Sequence, residues 1–107
     1  MGSSPPSLSS LFVTAVARRD IKSIWRYIAK DSVRHADLVE KAIIATCYSA
    51  ADMPQIGHKR DDLTHRNMLF VTVHDYERYT VAYVPGPKPL RIVRVLHGAR
   101  DVPKLFR

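Results

Sequence analysis

The hydrophobic positions of this chain change their period part-way along the sequence, from helical spacing to strand-like runs. After Thr14, apolar residues recur at spacings of three and four, which is typical of an amphipathic helix. Thr14 can cap that helix, which we predict to continue to about residue 30. Its apolar stripe comprises Ala17, Ile21, Ile24, Trp25 and Ile28. The basic residues between them, Arg18, Arg19, Lys22 and Arg26, fall mostly off the stripe and are expected to face water.

A second helix is predicted over residues 33–51, after a break at Asp31 and Ser32 that can cap it. So short a break between two helices implies an antiparallel hairpin. Small residues on the second helix are expected to let Trp25 and Tyr27 pack closely against it.

Four strands are predicted from runs of β-branched and aromatic residues at 11–14, 68–73, 79–84 and 91–97. The last three are joined by hairpin-sized links, so they form an antiparallel meander. The order strand, helix, helix, three strands predicts an α+β fold, with the helical hairpin on one face of a small, mainly antiparallel sheet. We expect residues 1–9 to be a disordered leader and residues 10–107 to be one domain.

The composition is that of an ordinary globular protein, with 46% hydrophobic and 25% charged residues among 107. No apolar run approaches the ~20 residues that cross a bilayer, and the first residues lack a signal-peptide pattern, so we expect no membrane partner. The single cysteine, Cys47, cannot form an internal disulfide, which favours a buried thiol in a reducing cytoplasm.

The positive charge is concentrated at the end of the chain. From Arg78 onward there are seven basic residues and one acidic residue, a net +6 of the whole chain's +7. Such asymmetry indicates an acidic partner for the C-terminal third.

Motifs for metal or nucleotide chemistry are missing from the sequence. The five histidines form no HExxH or Cys/His cluster, and there is no glycine-rich phosphate loop. We therefore expect no cofactor and no metal site.

The run 91–97 carries arginine among aliphatic residues. Strict alternation of side chains would place Ile92, Arg94 and Leu96 on one sheet face, and Val93 and Val95 on the other. If the helices cover only the valine face, the first set forms a groove for an amphipathic partner whose acid meets Arg94. The alternative is a solvated sheet face with a surface arginine.

Gly98 lets the chain turn away from the sheet edge, so that Arg100 and Asp101 project near the end of the last strand. Arg100 is a candidate anion-binding residue, and the alternative is an internal pair with Asp101. Arg60, in a loop of mixed charge, is either simply solvated or beside the C-terminal basic cluster.

Several motifs together resemble the RelE/ParE superfamily of bacterial toxins, and most closely its ParE branch. The resemblance spans residues 11–106 and lies in the order and spacing of five pieces: Ala17-Arg18-Arg19-Asp20-Ile21, Ile24-Trp25-Arg26-Tyr27-Ile28, Met53-Pro54 with Gly57, Arg60 and Asp62-Leu63, the tyrosines Tyr79 and Tyr83, and the run from Arg94 to Asp101.

The resemblance implies the toxin of a type II toxin–antitoxin pair, held in a hetero-oligomer with a ParD-like antitoxin whose C-terminal tail is acidic. The residues expected to bind the antitoxin are Ile21, Trp25, Ile28, Ile92, Arg94 and Leu96. The residues expected to bind the target are Arg60, His97, Arg100 and Lys104.

Two activities divide that superfamily. ParE-like members poison DNA gyrase by binding it, with possible indirect contact to DNA, whereas RelE-like members cut ribosome-bound messenger RNA. Arg100 matches one basic position of the cutting branch, but the other acid/base positions are not matched. We therefore favour gyrase poisoning over RNA cleavage, and the resemblance then implies no catalytic residues. A plain nucleic-acid-binding module is a third alternative. It is disfavoured because we expect no helix with the basic face that a groove reader needs and no strand with paired exposed aromatics for base stacking.

Overall fold

The computed structural model describes residues 10–62 and 64–97. The elements are strand β1 (Leu11–Val13), helices α1 (Ala15–Ala29) and α2 (Val33–Asp52), and a 3-10 turn (Pro54–Ile56), followed by strands β2 (Leu69–Thr72), β3 (Tyr79–Val84) and β4 (Leu90–His97). This order confirms the α+β fold expected from the sequence. The predicted leader and the segment after His97 lie outside the described residues.

Both helices begin at the caps that the sequence predicts. The Thr14 hydroxyl accepts a hydrogen bond from the Ala17 backbone N–H at 3.1 Å, and the Ser32 hydroxyl accepts one from the His35 N–H at 3.1 Å. Thr14 also ties the helix start to the sheet, because its backbone N–H donates to the Ile92 carbonyl at 3.1 Å.

The sheet has the strand order β1-β4-β3-β2. Strand β1 pairs with β4 in parallel, and the other neighbours are antiparallel. Parallel strands need a long connection, and both helices and two strands separate β1 from β4 along the chain.

The main core lies between that face and the hairpin. Ala17, Ile24 and Ile28 of α1 meet Val39 and Ile43 of α2 there. The predicted packing of Tyr27 is wrong, because its side chain is 60% exposed. Trp25, in contrast, is partly buried against the core.

A β-bulge in β4 overturns the predicted alternation. Tyr83 pairs with Ile92 and Ala82 pairs with Arg94, so Val93 is an extra residue and the faces exchange there. Ile92 therefore packs in the helix-side core, whereas Leu96 packs on the opposite face with Phe70. Both side chains are 0% exposed.

Gly57 is required by close packing. Its backbone N–H donates to the Tyr83 hydroxyl at 2.9 Å, and that hydroxyl donates to the Pro54 carbonyl. A Cβ at position 57 would lie 2.5 Å from the Tyr83 hydroxyl oxygen and 2.9 Å from the Leu69 Cβ. This contact anchors the loop after α2 to the sheet, and burial there raises the pKa of Tyr83.

Among the described residues, no helix is both long enough and apolar enough to cross a membrane.

Candidate functional site

A groove of about 610 Å³ runs along the helical hairpin beside the edge strand β1. We call it the hairpin groove. Its apolar lining consists of Leu11, Val13, Ile21, Trp25, Ile44 and Cys47, together with the ring of Tyr48. The edge strand forms one end wall, and the two helices form the sides.

Ile21 and Trp25 line the groove because they lie at the margin of the apolar stripe of α1, beside its buried residues. Trp25 is held in place by its indole N–H, which donates to the Asp37 carboxylate of α2 at 2.8 Å. That bond fixes the indole across the two helices, so the groove wall is preformed.

The α1 wall of the groove carries a regular row of cations. Arg18, Lys22 and Arg26 are spaced by four residues, are all exposed and all line the groove. Like charges at this spacing destabilise an isolated helix by roughly 0.2–0.5 kcal/mol per pair. In residues 10–62 and 64–97, the ion pairs join Arg60 to Asp62, His74 to Asp75 and Arg94 to Asp20, so this row has no acidic partner there.

This cationic row contradicts the expectation that no helix carries a basic face. The spacing was visible in the sequence, because Arg18, Lys22 and Arg26 recur every four residues. Lys30 continues the same spacing, with its ammonium 6.0 Å from the centre of the Tyr27 ring.

The α2 wall has the opposite charge. Glu40 is partly buried and lines the groove facing the α1 wall, and Ile44 and Tyr48 follow it at four-residue spacing. An apolar floor with cations along one side suits an amphipathic helix that has an acidic flank.

The thiol of Cys47 lies in the groove floor, with a side chain that is 1% exposed. Its predicted role as a small buried hydrophobic residue is confirmed. Burial raises the pKa of the thiol from 9.0 to about 12.

The raised pKa of Cys47 predicts a loss of stability at alkaline pH. Above pH 9 the unfolded chain releases the thiol proton while the folded chain retains it up to about pH 12. The free energy of unfolding should therefore fall by roughly 1.4 kcal/mol per pH unit from this group across that range. Urea unfolding at pH 8 to 11 measures this pH dependence. In Cys47→Ala the free energy of unfolding should fall less steeply with pH, because the contribution of the thiol is removed. If the free energies of unfolding of the wild type and Cys47→Ala differed by the same amount at every pH, the raised pKa of Cys47 would be contradicted.

The residues predicted to bind an antitoxin do not form one surface. Ile21 and Trp25 line the hairpin groove, whereas Ile28 is 9% exposed in the core beneath it. Ile92 and Leu96 are buried on opposite sheet faces.

Arg94 makes an internal ion pair with α1. Its Nε lies 2.8 Å from Asp20 Oδ2, and its Nη2 lies 3.0 Å from Asp20 Oδ1. Asp20 Oδ2 also accepts the Val95 backbone N–H at 3.0 Å. The pair thus covers the edge of β4 beyond the end of β1, where that N–H has no strand neighbour.

The residues predicted to bind a target are only partly described. Arg60 is exposed and makes a two-bond contact with Asp62, at 3.0 and 2.8 Å, which lowers the pKa of Asp62. The His97 ring lies edge-on to Tyr79, with centroids 5.5 Å apart. Arg100 and Lys104 lie outside the described residues.

Arg60 belongs to a small cleft at the outer end of the sheet. The cleft of about 190 Å³ is lined by His58, Phe70 and Thr80 as well as Arg60, and Thr80 pairs with Leu96 near the end of β4. Arg60 therefore lies beside strands β2 and β3.

A helical hairpin on one face of a four-stranded sheet, with a cation-lined groove along the hairpin, defines a small α+β protein suited to an amphipathic partner. No arrangement of three or more potential metal ligands occurs among the described residues.

The family model for the ParE toxin of the type II toxin–antitoxin system, parDE, matches residues 11–102. The chain therefore belongs to the ParE toxin family, which confirms the resemblance seen in the sequence.

One solved structure with a similar fold is a chain of the chromosomal ParDE TA system from P. aeruginosa. It superimposes with a TM-score of 0.68 and 17% sequence identity, over 82% of this chain and 94% of that chain. At this identity the likeness concerns the fold alone. A search of curated proteins gave no match.

Proposed function

We propose that this ParE-type toxin inhibits DNA gyrase by binding it, and that a ParD-like antitoxin neutralises the toxin through an acidic, partly apolar tail. The proposed antitoxin binding rests on the hairpin groove, in which apolar Trp25 and Ile21 lie beside a row of cations. Both partners act in the bacterial cytoplasm in this proposal.

The groove supports a contact for the antitoxin acid other than Arg94. Arg94 was the expected partner, but its guanidinium already contacts Asp20 through two nitrogens. The row on α1 is exposed and adjoins the apolar floor, so Arg18, Lys22 and Arg26 become the contacts for the acidic tail. Substituting Arg94 would disturb the fold as well as binding, so it does not test the interface cleanly.

Gyrase inhibition is supported by membership of the ParE family and by the basic end of the chain. Binding alone would suffice for poisoning, and it requires no general acid or base. The acid/base positions expected of an RNA-cleaving relative are not matched in the sequence. Messenger RNA cleavage is therefore an outcome that the test must be able to detect.

The test uses two assays in parallel. Purified protein is added to gyrase and relaxed plasmid, and both supercoiling and cleaved-DNA complexes are measured. The same preparation is added to a translation reaction, where cleavage of ribosome-bound message is followed. Inhibited supercoiling with intact message supports the proposal. Cleaved message with normal supercoiling would transfer the function to the RNA-cutting branch.

Truncation after Gly98 is expected to abolish growth arrest while antitoxin binding is retained, because all the described residues that line the groove precede Gly98. The measurement is colony growth on induction, together with antitoxin affinity and the melting temperature of the purified variant. A truncated protein that still arrests growth would show that the terminal segment, with Arg100 and Lys104, does not contact the target.

A further inference from the structure

The two walls of the hairpin groove have opposite charge. Arg18, Lys22 and Arg26 lie along the α1 wall, and Glu40 lies on the α2 wall. The Trp25–Asp37 hydrogen bond sets the register of the antiparallel hairpin. Lys22 lies three residues before Trp25 and Glu40 three residues after Asp37, so in an antiparallel hairpin these two residues are expected at similar heights on opposite walls.

Glu40 has no ion pair in residues 10–62 and 64–97, although three cations share its groove. It is partly buried, and its carboxylate would repel an acidic helix that covered the whole groove. A partner that places acids on both flanks is therefore disfavoured. A cationic side chain opposite Glu40 would instead gain an attractive contact as water leaves the groove.

We infer that Glu40 is a specificity residue, and that the groove selects an amphipathic helix with an acidic flank toward α1 and a lysine or arginine toward α2. This inference rests on the proposed antitoxin site and adds the charge pattern of its occupant.

The asymmetry also sets the direction of the bound helix. When the apolar face of a helix lies in a groove, reversing the helix exchanges its left and right flanks. Only one direction then places the acidic flank along Arg18, Lys22 and Arg26. The charge pattern therefore distinguishes a cognate tail from one of equal charge whose acids are arranged on the other flank.

The test is a double-mutant cycle with two synthetic helical peptides. Both carry the same apolar face and the same glutamates on one flank, and they differ only by lysine or alanine on the other flank. Trp25 is the only tryptophan in the chain and lies in the groove, so its fluorescence reports occupancy. Wild type should bind the lysine peptide about tenfold more tightly than the alanine peptide, and Glu40→Gln should remove that preference.

Glu77→Gln is the matched control, since Glu77 is the only other glutamate, is exposed and lies outside the groove. It should retain the full preference. Equal binding of the two peptides by wild type, or a preference that survives in Glu40→Gln, would overturn the role of Glu40. If neither peptide binds, the groove does not bind an amphipathic helix, and the inference is overturned. The gyrase assay is independent of all these outcomes, so failure here and failure of gyrase inhibition are distinguishable.

Discussion

Replacing Asp20 by alanine is expected to lower the free energy of unfolding by about 2–4 kcal/mol. The Asp20 and Arg94 side chains are only 16% and 26% exposed, so the change would leave a largely shielded guanidinium without this carboxylate. It would also remove the acceptor of the Val95 N–H on the β4 edge. Urea unfolding followed by circular dichroism measures the difference.

Asp61→Ala is the matched control, because Asp61 is an exposed aspartate in the loop before β2. Its effect should stay within about 0.5 kcal/mol, as for other surface substitutions. If Asp20→Ala were equally mild, the pair with Arg94 would contribute little to the fold, and Arg94 would again be available as a partner contact.

The helices were predictable because their signals are local. Thr14 and Ser32 cap within a few residues of the positions they bind, and the apolar stripes are read directly from the spacing. The strands were predictable from β-branched runs, and their short links fixed the meander. These features depend on neighbours along the chain, which a sequence shows.

The faces of β4 were not predictable, since one extra residue at Val93 exchanges them. Nor does the sequence reveal that Arg94 is held by Asp20, a residue on a different element. The sequence predicts only part of the candidate site, because the rest depends on contacts between different elements. Ile21 and Trp25 belong to a visible stripe, whereas Glu40 enters the groove only through the packing of α2 against α1.

Reversing the charge of Lys22 and Arg26 together is expected to weaken antitoxin binding roughly 100-fold. Each substitution exchanges an attractive contact with an acidic tail for a repulsive one on the groove wall. Both side chains are exposed, so the fold should be kept. The measurement is antitoxin affinity by calorimetry at two salt concentrations, and the loss should be smaller at high salt because screening weakens both contacts.

The matched control for this charge reversal is Arg19→Glu with Arg34→Glu, which makes the same change in net charge at exposed positions outside the groove lining. The control should bind the antitoxin within a few-fold of wild type. Since the growth-arrest segment is proposed to lie elsewhere, cells producing the Lys22 and Arg26 variant should arrest even when the antitoxin is present. If the control weakened binding as much, attraction would depend on net charge alone, and the row along α1 would have no positional role.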